Sequence, residues 1–94
     1  MKNYEAIVIF YPDLEEEVRQ ATIDRLTNII ETNGKVEDVE HWGDKKFAYP
    51  IQYHNHGYYT LFKFQAEPET EKEFNRIARI SESIIRQMTI NLDK

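Results

Sequence analysis

The sequence predicts an α+β protein in which a four-stranded antiparallel sheet carries two helices on one face. Four segments have strand patterns, two segments have apolar residues at helical spacing, and their order along the chain is β-α-β-β-α-β. Right-handed crossovers turn this order into the ferredoxin-like arrangement. The chain has 94 residues, a length typical of a single domain, so we expect one ferredoxin-like domain over residues 1–94.

The first strand and the first helix occupy the N-terminal third of the chain. Residues 4–10 are apolar with little alternation, which indicates a central strand that Pro12 ends. Asp13, with Glu16 three residues later, has the pattern of a capping box. We predict a helix over about residues 14–32 that stops at Asn33-Gly34. Its apolar residues at helical spacing are Leu14, Val18, Ala21, Leu26 and Ile30.

The middle of the chain alternates in the manner of strands. Residues 36–42 predict a second strand, with Val36 on one face and Val39 on the other. Gly43-Asp44 has the composition of a turn, after which the strand pattern resumes at Lys46 and runs to about Tyr53. We expect residues 54–57 to be a loop and residues 58–66 to be the third strand.

The C-terminal third predicts a helix followed by a strand. Pro68-Glu69 ends the preceding strand, and Thr70 with Glu73 forms a second capping-box pattern. We predict a helix over residues 70–80 that buries Phe74, Ile77 and Ala78, and a last strand over residues 84–92.

Composition excludes several classes of protein. The chain has no Cys, which rules out disulfides, thiolate metal sites and a Cys nucleophile. The longest apolar run, residues 6–10, is too short to span a bilayer, and the first residues lack the pattern of a signal peptide. We therefore expect a cytoplasmic protein without a membrane partner.

Charge is unevenly distributed in this acidic chain, whose net charge is −5. Residues 13–40 hold nine acids and three bases, whereas residues 41–66 hold one acid, three Lys and all three His. This cationic segment includes aromatic residues, and aromatics beside cations can stack on bases while the cations bind phosphates. An acidic protein can bind RNA through such a local surface, or with a basic partner that supplies the remaining charge.

Two helices can cover only one face of the sheet, and the first strand is apolar on both faces. Ile7 and Ile9 would point away from the helices, as would Tyr59 and Leu61 of the third strand. Apolar residues on an uncovered face of a small domain suggest a binding partner, so we expect these four residues to contact it.

Several strings resemble the bacterial small-subunit ribosomal protein six family over essentially the whole chain. The most specific is Lys45-Lys46-Phe47-Ala48-Tyr49-Pro50-Ile51. The other matching strings are Met1-Lys2-Asn3-Tyr4-Glu5, Pro12, Gly34, Gly57-Tyr58 and Ile84-Ile85-Arg86-Gln87-Met88.

The resemblance implies a ferredoxin-like, non-enzymatic constituent of the small ribosomal subunit. It implies binding to the central domain of the small-subunit ribosomal RNA together with the basic small-subunit ribosomal protein eighteen, with no cofactor and no small-molecule substrate. Within the matching strings, Lys45 and Lys46 are the expected phosphate contacts and Tyr49 is the expected base contact. Lys2, Tyr4 and Arg86 are expected to form a second RNA contact patch where the first and last strands neighbour each other. Away from the ribosome we expect a monomer.

Other functions are weaker alternatives. His41, His54 and His56 lack an evident third metal ligand, and Glu15-Glu16-Glu17 is the favourable acidic start of a helix rather than a catalytic pair. A phosphatase of the acylphosphatase kind would need an anion-binding loop after the first strand, but Tyr11-Pro12-Asp13-Leu14 is anionic and lacks Gly. A ligand-binding or regulatory dimer that associates through Ile7 and Ile9 remains an alternative.

Overall fold

The computed structural model describes residues 1–51 and 53–93. The elements are β1 (Lys2–Phe10), α1 (Glu16–Asn33), β2 (Gly34–Ile51), β3 (His54–Ala66), α2 (Pro68–Ile80) and β4 (Ile84–Asn91). The strands form one antiparallel sheet in the order β2-β3-β1-β4. The predicted ferredoxin-like fold is confirmed.

One hydrophobic core lies between the sheet and the two helices. The central strands β1 and β3 contribute alternate residues to it, and α2 contributes Phe74, Ile77 and Ala78 as predicted. The ring of Phe74 lies 5.5 Å from that of Phe62 and 5.2 Å from that of Phe64, measured between centroids. Large aromatic side chains dominate the buried apolar area of such a core. Neither helix has the length and apolar character that crossing a membrane requires, within the part of the chain that the structure describes.

Helix α1 begins later than predicted and buries a different set of residues. Its N-cap is Glu15, whose side chain makes no capping hydrogen bond, so the capping box at Asp13 is wrong. The first turn carries Glu16 and Glu17, whose charges are favourable at the positive end of the helix dipole. The fully buried residues are Ile23, Leu26 and Ile30, whereas Val18 and Ala21 are exposed.

Helix α2 begins earlier than predicted. Glu67 is the N-cap without a side-chain capping bond, and Pro68 occupies the first turn. Proline suits this position because the N–H that it lacks would have no partner inside the helix. Thr70 lies within the helix and is buried, so the second capping box is also wrong.

Strand β2 is continuous from Gly34 to Ile51, where the sequence predicts a strand pattern that a turn at Gly43-Asp44 interrupts. The register passes from His41 opposite Thr60 to Gly43 opposite Tyr59, which leaves Trp42 as an extra residue. Gly43 has a φ of +84°, a conformation that favours glycine. The predicted turn at Gly43-Asp44 is therefore wrong, and the glycine serves a β-bulge within a single strand.

An irregularity nearer the start of β2 determines on which face of the sheet Val36 and Val39 lie. The register passes from Val36 opposite Phe64 to Asp38 opposite Lys63, which leaves Glu37 as an extra residue. As a result, Val36 and Val39 both pack against the core, and their predicted placement on opposite faces is wrong. One inserted residue inverts the orientation of every residue that follows it.

Strands β2 and β3 continue past the end of β1. The last pair between β1 and β3 is Phe10 with Tyr58. The pairing of β2 with β3 continues to Lys46 opposite His56 and then to Ile51 opposite His54. We call this two-stranded extension, residues 44–51 and 53–57, the arm. The predicted loop over residues 54–57 is wrong, because these residues belong to β3. Gln52, within the second predicted strand, lies outside the described residues.

Candidate RNA- and partner-binding surface

The arm carries the exposed side chains of the most specific sequence string. Lys45 and Lys46 are exposed and lie within strand β2, and Tyr49 is 69 % exposed. Tyr53 is also fully exposed, near the end of the arm. Because the arm projects beyond β1, it can enter a groove that a flat sheet cannot.

Lys45 and Lys46 lie on opposite faces of the arm. Lys45 is opposite Gly57, on the face that points away from the helices, which we call the open face. Lys46 is opposite His56, on the side that faces the helices. On that side, the Nδ1 atom of His56 lies 2.8 Å from a carboxylate oxygen of Asp44. Directly opposed residues of antiparallel strands share a face, so the two lysines serve different surfaces.

The four predicted partner-contact residues are neighbours on the open face. Ile7 is opposite Leu61, and Ile9 is opposite Tyr59, across the pair of central strands. They form one apolar group at the centre of the sheet.

Aromatic side chains already cover part of this group. Trp42 stacks on Tyr59 with ring centroids 6.5 Å apart and an interplanar angle of 12°, and Phe47 lies 6.2 Å from the same ring. In the same group, Ile9 is 4 % exposed and Leu61 is 7 % exposed. These two residues therefore support the surface and offer little area of their own to a partner.

Strand β4 extends the apolar surface to the edge of the sheet. Met88 is opposite Ile7 and Ile90 is opposite Glu5, and both apolar side chains are exposed. Sequence reasoning missed both residues. Arg86, Met88 and Ile90 follow one another at intervals of two along an edge strand, and this alternation is the signal that could have found them, because it places all three on the open face.

A polar cluster borders the apolar group beside Leu61. The indole N–H of Trp42 donates to Glu40 at 3.1 Å, and the Lys63 ammonium lies 3.2 Å from the same carboxylate. These contacts lower the pKa of Glu40, with the Trp42 hydrogen bond as the largest cause, and the hydrogen bond to Glu40 raises the pKa of Lys63. The cluster fixes the indole ring at the edge of the open face.

The expected second RNA patch does not form. β1 and β4 are neighbours as predicted, but Arg86 is opposite Ile9, at the far end of β1 from Lys2. Seven residues of strand separate these positions by roughly 23 Å, at ~3.3 Å per residue. Tyr4 is 4 % exposed, stacks on Phe64 in the core, and has its pKa raised chiefly by burial. Its ring has almost no accessible surface for RNA. The separation follows from antiparallel pairing, in which the start of β4 meets the end of β1.

The three histidines contact different partners. The Nδ1 atom of His41 lies 3.2 Å from the Tyr58 hydroxyl, and the ring of His54 lies 5.0 Å from that of Tyr11. Among residues 1–51 and 53–93, no group of three or more His, Cys, Asp or Glu residues could hold a metal ion.

The fold and these surfaces define a class of protein, a ferredoxin-like binding domain. It combines a projecting arm with exposed cations and an open sheet face with exposed apolar side chains. Both features are suited to contacts with macromolecules.

Comparison with known proteins identifies the family. The family model for ribosomal protein S6 matches residues 3–91. The chain is 44 % identical over 95 residues to small ribosomal subunit protein bS6 of Clostridium novyi, with both chains covered completely. It is 38 % identical to the bS6 protein of Caldanaerobacter subterraneus, with 99 % of each chain covered. The crystal structure of 30S ribosomal protein S6 from Thermotoga maritima matches with a TM-score of 0.89 and 35 % identity, covering 96 % of this chain and 86 % of that one.

This chain belongs to the ribosomal protein S6 family. Its role is that of a structural ribosomal protein rather than an enzyme, and its place is on the ribosome in the cytoplasm. The predicted family, the non-enzymatic role and the location are confirmed.

Proposed function

We propose that residues 1–94 form a single domain that binds the central domain of the small-subunit ribosomal RNA together with the basic small-subunit ribosomal protein eighteen. The observation that carries the proposal is the arm, which presents Lys45, Lys46 and Tyr49 to solvent on a chain of net charge −5. The arm is cationic and aromatic although the domain as a whole is acidic. This distribution of charge favours RNA binding through the arm rather than through the whole surface.

The RNA surface consists of the arm and of Arg86, which lies on the same half of the open face. Arg86 is opposite Ile9 and is exposed, and two strands lie between its strand and that of Lys45. The cations would contact phosphates and fix the position of the protein, and Tyr49 would stack on an unpaired base. Lys2, at the opposite end of the sheet, would make a contact separate from this surface.

The protein partner would dock on the apolar part of the open face. Ile7, Tyr59, Met88 and Ile90 lie side by side there, and Trp42 borders them. The interface would gain apolar burial from these residues. The acidic remainder of the chain would attract a basic protein and speed its association. Once bound, the partner would also reverse the repulsion between this chain and RNA.

The same open face could support self-association, as in a regulatory dimer. We propose a monomer away from the ribosome, because half of the predicted contact group, Ile9 and Leu61, is already covered within the chain. Size-exclusion chromatography at micromolar concentration tests this proposal: elution as a monomer supports it, and a stable dimer would contradict it.

Charge reversal on the arm tests the proposal. Lys45→Glu with Lys46→Glu should leave the protein folded, because both residues are exposed, but should reduce its retention on small subunits during a moderate salt wash. The dependence of binding on salt should fall by up to about 0.9 in the log–log slope for each phosphate that the variant no longer neutralises.

A matched control reverses two exposed cations on the helices. Arg25→Glu with Lys72→Glu changes the net charge equally, and both residues lie on the layer opposite the open face. Retention of this control with loss of the arm variant supports the proposal. Equal retention of both variants, with unchanged salt slopes, would refute the placement of the RNA surface.

A further inference from the structure

The side of the arm that faces the helices carries a second cluster of cationic and aromatic groups. We call it the inner cluster, and it consists of Arg19, His41, Lys46, His56 and Tyr58. Lys46 lies opposite His56, and Tyr58 is the next residue of β3 on the same face. Arg19 reaches this face from helix α1, so the cluster is built from both layers of the fold.

The aromatic ring of Tyr58 holds the Arg19 side chain in place. Its guanidinium carbon lies 3.8 Å from the centroid of the Tyr58 ring, and the Tyr58 hydroxyl in turn lies 3.2 Å from Nδ1 of His41. Within the described residues, the Arg19 side chain makes neither a salt bridge nor a hydrogen bond to another side chain. A guanidinium stacked on a ring keeps its outer face and its five N–H donors available to a ligand.

Lys46 and His56 lie opposite each other on the same face of the arm as Tyr58, and both are exposed. His56 and Tyr58 are two residues apart on β3, which corresponds to about 7 Å along a strand. Two acids are near: Asp44 hydrogen-bonds His56 at 2.8 Å, and Glu15 lies one helical turn before Arg19. The cluster is therefore mixed in charge, and its distinctive property is the combination of planar groups with hydrogen-bond donors.

We propose that the inner cluster is a binding site for an unpaired RNA nucleotide. A base would stack on the outer face of the Arg19 guanidinium or on the ring of His56, and Lys46 would contact the adjacent phosphate. Arg19 is ordered by Tyr58 before the ligand arrives, which lowers the entropic cost of binding. This inference rests on the proposed RNA binding and adds that RNA contacts the arm on both faces, through Lys45 on the open face and through the inner cluster.

A nuclear magnetic resonance titration of the intact chain tests the inference. The probe is single-stranded oligoadenylate of about ten nucleotides, within the ~4–16 nucleotides that single-strand-binding folds cover. We expect shifts in the ring signals of His56 and Tyr58 and in the side-chain signal of Arg19. Arg19→Gln and His56→Ala should each weaken binding about fivefold or more, the loss expected for one stacked base.

Two further variants serve as controls. Asn28→Ala removes an exposed side chain from helix α1, outside both the arm and the inner cluster, and should bind like the parent. Arg19→Lys keeps the positive charge but removes the planar guanidinium. Its affinity for oligoadenylate should match that of Arg19→Gln if stacking on the guanidinium contributes to binding. It should match that of the parent if only the charge contributes.

The outcomes separate this inference from the proposed function. Shifts confined to the open face, or parent-like affinity of both Arg19→Gln and His56→Ala, would overturn the inner site. The proposed function would still stand after that result if the small subunits lose the Lys45→Glu, Lys46→Glu variant during the salt wash and retain the Arg25→Glu, Lys72→Glu control. Shifts at the inner cluster on addition of the basic protein partner, and none with oligoadenylate, would also overturn the inference.

Discussion

Gly57 sets the spacing between strand β3 and the aromatic side chains above it. A Cβ atom at this position would lie 2.7 Å from Cγ2 of Ile9 and 3.0 Å from both the Phe10 carbonyl oxygen and Cζ of Phe47. The two side chains can shift, but the carbonyl belongs to β1, which is paired with β3 at this point. Gly57→Ala is therefore an overpacking substitution, and we expect it to lower the free energy of unfolding by ~1–3 kcal/mol.

Urea and thermal unfolding measure this loss. For a domain of this size, each 1 kcal/mol lowers the Tm by roughly 4–8 °C. The chain has one Trp, and Trp42 and Phe47 contact the same Tyr59 ring. Displacement of Phe47 should therefore shift the fluorescence emission of the folded variant as well as its stability.

A second substitution isolates the steric cause. Phe47→Leu shortens the side chain that meets the new Cβ, so the double variant with Gly57→Ala should lose less stability than the sum of the two single variants. A Gly57→Ala protein that unfolds within about 0.5 kcal/mol of the parent would refute the reasoning.

Three further predictions concern residues outside this contact. Thr60 is fully buried, and its Oγ1 has no hydrogen-bond partner among the described residues, so Thr60→Val should be neutral or stabilising by up to ~1 kcal/mol in urea unfolding. Backbone and side-chain hydrogen bonds from Asn3 lower the pKa of Asp93. The ionised Asp93 carboxylate therefore stabilises the fold above pH ~4, and this stabilisation is lost as the pH falls through the lowered pKa. The difference in Tm between the parent and Asp93→Ala should vanish at acid pH. Tyr49→Ala should unfold like the parent, because the ring is 69 % exposed, but should bind ribosomal RNA more weakly in filter binding.

The element order and the buried face of α2 could be predicted from sequence because they depend on local periodicity. The strand order followed from the same elements and the crossover rule. The helix starts could not be predicted. Asp13 and Thr70 are residue types that favour N-caps, but the N-caps are Glu15 and Glu67. Pro68 was the overlooked signal, since proline both ends a strand and suits the first turn of a helix.

The candidate site was predicted in part, and register explains the rest. The sequence string over residues 45–51, which lies in the arm, could be recognised from sequence. The alternation of apolar and polar residues within one strand cannot show the extra residues at Glu37 and Trp42. Nor can it show that Arg86 pairs far from Lys2, because pairing is decided by contacts between distant segments. The contacts of Trp42 and Phe47 with Tyr59 could not be predicted for the same reason, since they join residues of two strands.

The central claim is that this acidic chain binds ribosomal RNA through a local surface and depends on a basic partner for affinity. The most direct test is filter binding of the central domain of the small-subunit ribosomal RNA to this protein alone, to the basic ribosomal protein eighteen alone, and to both together. Because the chain carries a net charge of −5, we predict weak binding alone and much tighter binding with the partner. Equal affinity of this protein for the RNA with and without the partner would contradict the claim.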